Sequence, residues 1–286
     1  MSVDSKFSAG NIAIHWRQFI NRNRNNSPFL SGDTFSNLVD VSFFDKRELK
    51  APQNLDKIAR ARTIFCPSHL YENMLVDFGN RIQAEILVLG NSDRDFSSPL
   101  KGLPKSVSAV YLQNSLYFDN MHRLLPIGIE NLKLGMNGQK SLYAAKYFYA
   151  KKHNQLLVGP FSLTHPEREP LINLDQNKSK FIKSFTGRIS PKKYAEISSS
   201  YKYVACPRGN GLDTHRFWES LYRGCYPVVI KSRWSNELIR LGIPLVEIEN
   251  WGLEQMEELQ NLKLNDFNPK DIEFLWADRW EKEFKF

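Results

Sequence analysis

Short apolar runs alternate with amphipathic segments along the chain. Residues 84–90 (AEILVLG) are almost continuously apolar, as in a parallel strand buried on both faces. Further strands are predicted at residues 62–66, 107–113, 124–129, 155–161, 180–185, 201–206, 226–230 and 244–248. Helices are predicted at residues 11–21, 34–39, 69–82, 141–152, 191–198, 214–223, 235–241, 253–262 and 271–286. Strands that alternate with helices predict an α/β fold with parallel sheets.

The chain is long enough for two domains. It has 286 residues, of which 42% are hydrophobic, so a folded protein with sizeable cores is expected. We place an amino-terminal domain at residues 1–153 and a second domain at residues 154–270. The last segment, 271–286, carries Trp276, Trp280 and Phe284 at four-residue intervals. This stripe predicts a helix that docks across the domains, with a helix lying in a membrane interface as the alternative.

Charge and cysteine content narrow the class of protein. The formal charge of +8 suits anionic partners, but the basic residues are spread along the chain and no nucleic-acid-binding motif is present.

The chain has three cysteines, Cys66, Cys206 and Cys225. Their number is odd and they lack C-x-x-C spacing, so reduced structural thiols are expected. The histidines show no zinc-binding spacing. With no apolar run of transmembrane length and no secretory leader, a soluble cytoplasmic protein is expected.

The richest candidate chemistry lies at residues 201–230, which read as strand, glycine turn, helix and strand. Gly209 and Gly211 allow positive φ angles and close approach of a ligand to the backbone. Asp213 or Thr214 stands where a helix N-cap belongs. The following helix N-terminus offers free N–H groups and a positive dipole end, which favour phosphate.

Side chains at the same place complete a predicted nucleotide-diphosphate cradle. Arginine binds phosphate in two-pronged fashion, and a carboxylate one turn further along the helix can accept hydrogen bonds from ribose hydroxyls. The alternative is an ordinary βαβ unit in which Arg216 and Glu219 form a surface ion pair. The candidate ligands in this segment are Arg208, Asn210, Gly211, Asp213, Thr214, His215, Arg216 and Glu219.

The stretch CPRGNGLDTHRFWESLYRGCYPVV resembles the donor-site motif of exostosin-like glycosyltransferases. It is closer to the bacterial and large-DNA-virus sugar transferases related to them. Counterparts of that group's motifs are SGDTF (31–35), GNSDRD (90–95), LQN (112–114) and PIGIEN (126–131), so the resemblance spans about residues 28–231. The turn departs from exostosins, with Asn-Gly-Leu-Asp where they are often serine-rich.

The resemblance implies a fold and a reaction. The fold is two Rossmann-like domains facing a cleft, the GT-B type. The reaction is metal-independent, inverting transfer of a sugar from a nucleoside-diphosphate sugar, with UDP as the expected nucleotide, to a hydroxyl of a glycan or glycoconjugate. It requires no further cofactor. Arg188 is implied as a second phosphate ligand, and the expected base is Asp33, with Asp93 and Glu130 as alternatives.

Three other interpretations stay open. Asp93-Arg94-Asp95 fits the D-x-D pattern that holds a divalent metal in another transferase fold, although a solvated turn is the favoured interpretation. A Rossmann-like oxidoreductase would need G-x-G-x-x-G, and Thr214 stands where the third glycine belongs. A basic protein that binds carbohydrate or nucleic acid without catalysis is the remaining alternative.

Overall fold

The computed structural model describes residues 26–132 and 136–285, so the predicted helix at 11–21 lies outside the described residues. Within these two ranges, ten strands form two parallel five-stranded sheets. The first sheet has the order β1-β2-β3-β4-β5 and contains β1 (Val41–Ser42), β2 (Thr63–Pro67), β3 (Ile86–Gly90), β4 (Ala109–Leu112) and β5 (His122–Leu124). The second has the order β10-β9-β8-β6-β7 and contains β6 (His153–Val158), β7 (Ile182–Ser184), β8 (Tyr201–Ala205), β9 (Tyr226–Ile230) and β10 (Val246–Ile248). The predicted α/β class with parallel sheets is therefore confirmed.

Helices lie between most consecutive strands, as is usual for parallel crossovers, whereas β3, β4 and β5 are joined by loops without a helix. In the first half of the described chain they are α1 (Gly32–Leu38), α2 (Lys46–Lys50), α3 (Pro52–Arg60), α4 (Tyr71–Phe78) and α5 (Ala145–Phe148). In the second half they are α6 (Glu169–Ile172), α7 (Pro191–Ser198), α8 (His215–Tyr222), α9 (Arg233–Arg240), α10 (Leu253–Glu258) and α11 (Ala277–Lys285). No helix in the described ranges is long and apolar enough to cross a membrane.

The two sheets share one hydrophobic cluster. Side chains alternate along each strand, so Val88 of β3 and Val204 of β8 enter the shared cluster. Their neighbours Leu87 and Tyr203 point to separate clusters on the outer faces of the first and second sheets. The shared cluster also takes the apolar face of α8, which confirms the helical pattern of residues 214–223. The sheets are thus joined by packing, while the domain limits stay a prediction.

The carboxyl-terminal aromatic stripe is part of this core. Trp280 and Phe284 are 2% and 1% exposed, and the ring of Trp280 lies edge-on to that of Phe35, 5.1 Å between centroids. The helix begins at Ala277, later than residue 271, because residues 269–275 form two 3-10 turns that start at Pro269. The alternative prediction, a helix that lies in a membrane interface, is therefore wrong.

Three local predictions are also corrected. The strand expected at 124–129 ends at Leu124, and Gly128 beyond it has a φ of 68°. The helix expected at 141–152 is a 3-10 turn, Lys140–Tyr143, and the short α5, because Ala144 between them is extended. The helix expected at 34–39 begins earlier, at Gly32, because Ser31 is its N-cap and accepts a hydrogen bond from the N–H of Thr34.

Candidate functional site

The loops that follow β6 and β8 meet at the point where the second sheet changes winding direction. The chain passes from β6 to β7 on one side and then to β8 on the other. In open α/β sheets, ligands bind at the carboxyl ends of the strands at such a switch point. The β8 loop carries the predicted glycine turn, and the β6 loop carries Pro160 and Phe161. Fold topology and sequence motif therefore indicate the same place.

The glycine turn is needed for close packing rather than for unusual backbone angles. Neither Gly209 nor Gly211 has a positive φ, which corrects the expectation from sequence. A Cβ on Gly211 would lie 2.9 Å from both terminal atoms of the Asn114 side chain, and one on Gly209 would lie 2.9 Å from Nη2 of Arg168. The glycines thus let side chains of other loops approach the turn.

Asp213 anchors the turn to the loops of the first sheet. Its backbone N–H donates to Oδ1 of Asn114 at 2.7 Å, and its carboxylate accepts from the N–H of Ile127 and from Nε1 of Trp218. Burial raises the pKa of Asp213 to about 7, against the lowering effect of these donors. Thr214, not Asp213, is the N-cap of α8, and its side chain makes no capping hydrogen bond. These contacts favour a structural role for Asp213 over direct binding of phosphate.

Arg216 is held rigidly at the start of α8. Its Nη2 donates to the carbonyl oxygen of Pro160 at 2.9 Å. Its guanidinium lies over the rings of Phe161 and Tyr194, 4.5 and 4.9 Å from their centroids. Its Nη1 is buried and has no hydrogen-bond partner within the described residues. Such a donor, oriented by its neighbours, suits an anionic oxygen.

Two more arginines lie at the same turn. Arg208 bonds Oδ2 of Asp95 through Nη2 at 2.7 Å, whereas its Nε is buried without a partner in the described part of the chain. Arg168 donates from Nε to the carbonyl oxygen of Arg208 at 2.8 Å. The pKa of Arg168 is lowered, first by burial and then by the positive charge of Arg216. We call Arg168, Arg208 and Arg216 the arginine cluster.

Arg168 was missed by the sequence analysis. It lies in the long loop after β6, forty positions before Arg208, and no local motif surrounds it. The one available signal is topological, because loops that follow the strands flanking a switch point meet there.

Glu219 is not in a surface ion pair with Arg216. It is buried, 6% exposed, and pairs with Arg223 at 3.4 Å. The Tyr143 hydroxyl donates to the carbonyl oxygen of Asn137 at 2.7 Å. Burial, and then the negative charge of Glu219, raises the pKa of Tyr143. Arg223 and Arg216 lie over the same Tyr194 ring. The surface ion pair of the alternative interpretation is therefore wrong, and a ribose contact by Glu219 stays a prediction.

A second concave region adjoins the other side of the α8 N-terminus. It is a pocket of about 280 Å³ whose polar lining includes His69, Asn91, Ser92, Asp93, Gln113, Asn131 and His215. The loops after β2, β3, β4 and β5 and the first residue of α8 supply this lining. We call it the first-sheet pocket. His215 is among the residues that line this pocket, and its Nδ1 lies 2.8 Å from the carbonyl oxygen of Gly128.

The three predicted bases occupy different surroundings. Asp93 is exposed and lines the first-sheet pocket. The Asp33 carboxylate accepts a hydrogen bond from the N–H of Leu132 at 2.7 Å. Glu130 accepts from the N–H of Asn137 at 2.6 Å. Neither Asp33 nor Glu130 is among the residues that line the pocket.

The remaining predicted ligands differ in exposure. Arg188 is exposed in the loop between β7 and α7, and Asn210 is exposed at the tip of the glycine turn. In the D-x-D segment, Asp95 is engaged by Arg208 and Arg94 by Glu72. Within residues 26–132 and 136–285, no three His, Cys, Asp or Glu side chains form a group able to hold a metal ion.

No protein-family model matches this chain, and no curated protein matches it. Among solved structures, it is similar to AviGT4, a glycosyltransferase involved in avilamycin A biosynthesis. The identity is 11% and the TM-score 0.40, over 78% of this chain and 83% of that chain. This likeness is too distant to assign an activity.

Proposed function

We propose that the protein is a glycosyltransferase that takes a sugar from a nucleoside-diphosphate sugar, with UDP as the expected nucleotide. The donor diphosphate would lie at the α8 N-terminus, beside the arginine cluster. Two independent lines support this placement: the resemblance of residues 206–229 to the exostosin-like donor motif, and the position of the same residues at the switch point of the second sheet.

The observation that carries the proposal is the pair of buried donors without partners, Nε of Arg208 and Nη1 of Arg216, among the described residues. A buried charged donor is expensive unless it meets an acceptor. Arg168 lies near enough to Arg216 for their charges to repel, as its lowered pKa shows. A diphosphate supplies both the oxygens for these donors and the negative charge that relieves this repulsion.

The same arrangement serves the reaction. When the sugar–phosphate bond breaks, negative charge develops on the leaving diphosphate. Guanidinium groups and a helix N-terminus, fixed before the reaction starts, stabilise that charge without reorganisation. The arginine cluster would therefore perform the task that a metal ion performs in other transferases, and metal-independent turnover is expected.

The acceptor would occupy the first-sheet pocket. The proposed division is an acceptor domain at 1–153, a donor domain at 154–270 and a carboxyl-terminal segment at 271–286 that packs back across the domains, with the cleft of a GT-B enzyme between the domains. Attack of an acceptor hydroxyl from the first-sheet side, opposite the leaving diphosphate, would invert the anomeric centre. Amide and carboxylate side chains in the pocket suit the hydroxyls of a glycan.

The test is turnover of sugar nucleotides in the presence of EDTA. UDP-, GDP-, ADP- and CMP-sugars are incubated with the full chain, and release of free nucleotide is followed with and without a glycan mixture as acceptor. The proposal expects release from one nucleotide class, undiminished by EDTA. Activity that is lost in EDTA and restored by Mn²⁺ would return the D-x-D segment to consideration, and no release from any donor would contradict the proposal.

A further inference from the structure

His215 and Arg216 are consecutive residues at the start of α8, yet they face different halves of the molecule. Arg216 reaches Pro160 and Phe161, in the loop after β6 of the second sheet. His215 reaches Gly128, in the loop after β5 of the first sheet. Because neighbouring residues on a helix point about 100° apart, one helix end presents a cation to one side and an imidazole to the other. The two reactants of the proposed transfer would therefore meet at this helix end.

The contact with Gly128 fixes the tautomer of the His215 imidazole. A carbonyl oxygen only accepts hydrogen bonds, so Nδ1 of His215 must carry the proton in the 2.8 Å contact. In the neutral ring the proton-free nitrogen is then Nε2, which is an acceptor. Gly128 itself is fixed: it has a φ of 68°, and a Cβ there would lie 2.1 Å from the carbonyl oxygen of Leu30. The ring is thus oriented by rigid backbone.

We propose that His215 is the general base of the transfer and that its Nε2 accepts the proton of the acceptor hydroxyl; the inference rests on the proposed function. His215 is one of the residues that line the first-sheet pocket, where the acceptor would bind. As the hydroxyl proton moves to Nε2, the hydroxyl oxygen forms a bond to the anomeric carbon. The bond from that carbon to the diphosphate oxygen breaks, and its electron pair leaves on the diphosphate beside Arg216. The proton then passes to solvent.

The carboxylates are less suited to this role. Asp33 and Glu130 are each engaged by a backbone N–H, and neither lines the first-sheet pocket, where the acceptor would bind. Asp93 lines the same pocket but lies on an exposed loop, and no backbone contact comparable to that of His215 orients it in the described residues. This assignment replaces the phosphate role that the sequence predicted for His215.

The design uses two matched substitutions of the full chain. His215→Asn keeps an N–H donor near the position of Nδ1, so the contact with Gly128 survives, but it removes Nε2. His153→Gln changes an exposed histidine at the start of β6 and serves as the control. For each protein, the affinity for the nucleoside diphosphate that stabilises the wild type and the turnover of the matching sugar nucleotide are measured.

We expect His215→Asn to bind the nucleotide within about twofold of wild type while kcat falls by about 10²–10⁴-fold, the range of a lost general base. Free imidazole should restore part of the turnover of His215→Ala. Retained turnover in His215→Asn, or a loss of nucleotide affinity as large as the loss of kcat, would overturn the proposal. If the wild type binds no nucleotide, the proposed function fails instead.

A second readout does not depend on turnover. The long-range proton–nitrogen spectrum of the ¹⁵N-labelled protein reports the tautomer of each histidine ring, and the His215 signals are identified by their absence in His215→Asn. The Nδ1–H tautomer is expected at neutral pH. The Nε2–H tautomer would overturn the assignment even if the protein is a glycosyltransferase.

Discussion

Replacing Arg216 with alanine should weaken ligand binding strongly while changing the stability of the free protein little. The side chain stabilises the fold through one hydrogen bond to Pro160 and by stacking on Phe161 and Tyr194. Each of these contributes about 1 kcal/mol. One atom of the same side chain destabilises the fold. Nη1 is buried without a partner among the described residues, and its desolvation costs about 1–3 kcal/mol. The opposing contributions nearly cancel, so the free energy of unfolding should change by about 1 kcal/mol or less.

When the nucleotide is bound, the favourable and unfavourable contributions of Arg216 no longer cancel, because Nη1 then has an acceptor. A charge-assisted contact with phosphate contributes about 1.5–3 kcal/mol, which corresponds to roughly a 10- to 150-fold increase in Kd. Arg216→Lys keeps the charge but loses the two-pronged geometry and the stacking, so an intermediate Kd is expected.

Calorimetric titration with the nucleoside diphosphate and chemical denaturation of the free protein provide the two readouts. Arg240→Ala is the control, because it removes one positive charge at an exposed side chain that pairs with Glu237. A Kd for Arg216→Ala within threefold of the Arg240→Ala value would refute the assignment of Arg216 to the phosphate site.

Three further outcomes are expected from chemical denaturation. Gly211→Ala should destabilise the fold by about 1–3 kcal/mol, because the added Cβ displaces Asn114 and leaves the buried N–H of Asp213 without its acceptor; unchanged stability would contradict the packing role of this glycine. Trp280→Ala should cost about 3–5 kcal/mol, and a loss below 1 kcal/mol would show that the carboxyl-terminal helix is dispensable to the core. The pKa of Asp213, about 7 in the fold, exceeds its ordinary 3.8, so the folded state binds more protons between these values, and the unfolding free energy should fall as pH rises through them. In Asp213→Asn the free energy of unfolding should not show this decrease. An equal dependence on pH in the two proteins would contradict the raised pKa of Asp213.

The strands and the helix α8 could be predicted because their patterns are local. The apolar run of β3 and the buried face of α8 each follow from residues within one element. Helix limits at α11 and α5 were less predictable, because the 3-10 turns before them arise from the backbone at Pro269 and Ala144 rather than from periodicity.

The candidate site was predictable only in part, because its contacts join distant segments. Arg216 was found from the motif, whereas Arg168 enters the cluster through a loop forty residues before Arg208. The spacing of Arg216 and Glu219 left a surface ion pair open as an alternative, but Glu219 is buried and pairs with Arg223. The orientation of His215 depends on Gly128, eighty-seven positions away, and no sequence pattern encodes it.

The most direct test of the account is a metal-free thermal-shift screen against UDP, GDP, ADP, CMP and NAD. A ligand that binds only the folded protein stabilises it by about 2.7 kcal/mol at a hundredfold excess over Kd. The account predicts such a shift with one nucleoside diphosphate, UDP by expectation, and its loss in Arg216→Ala. No shift with any nucleotide, or a shift of equal size in wild type and Arg216→Ala, would contradict a donor site at the arginine cluster.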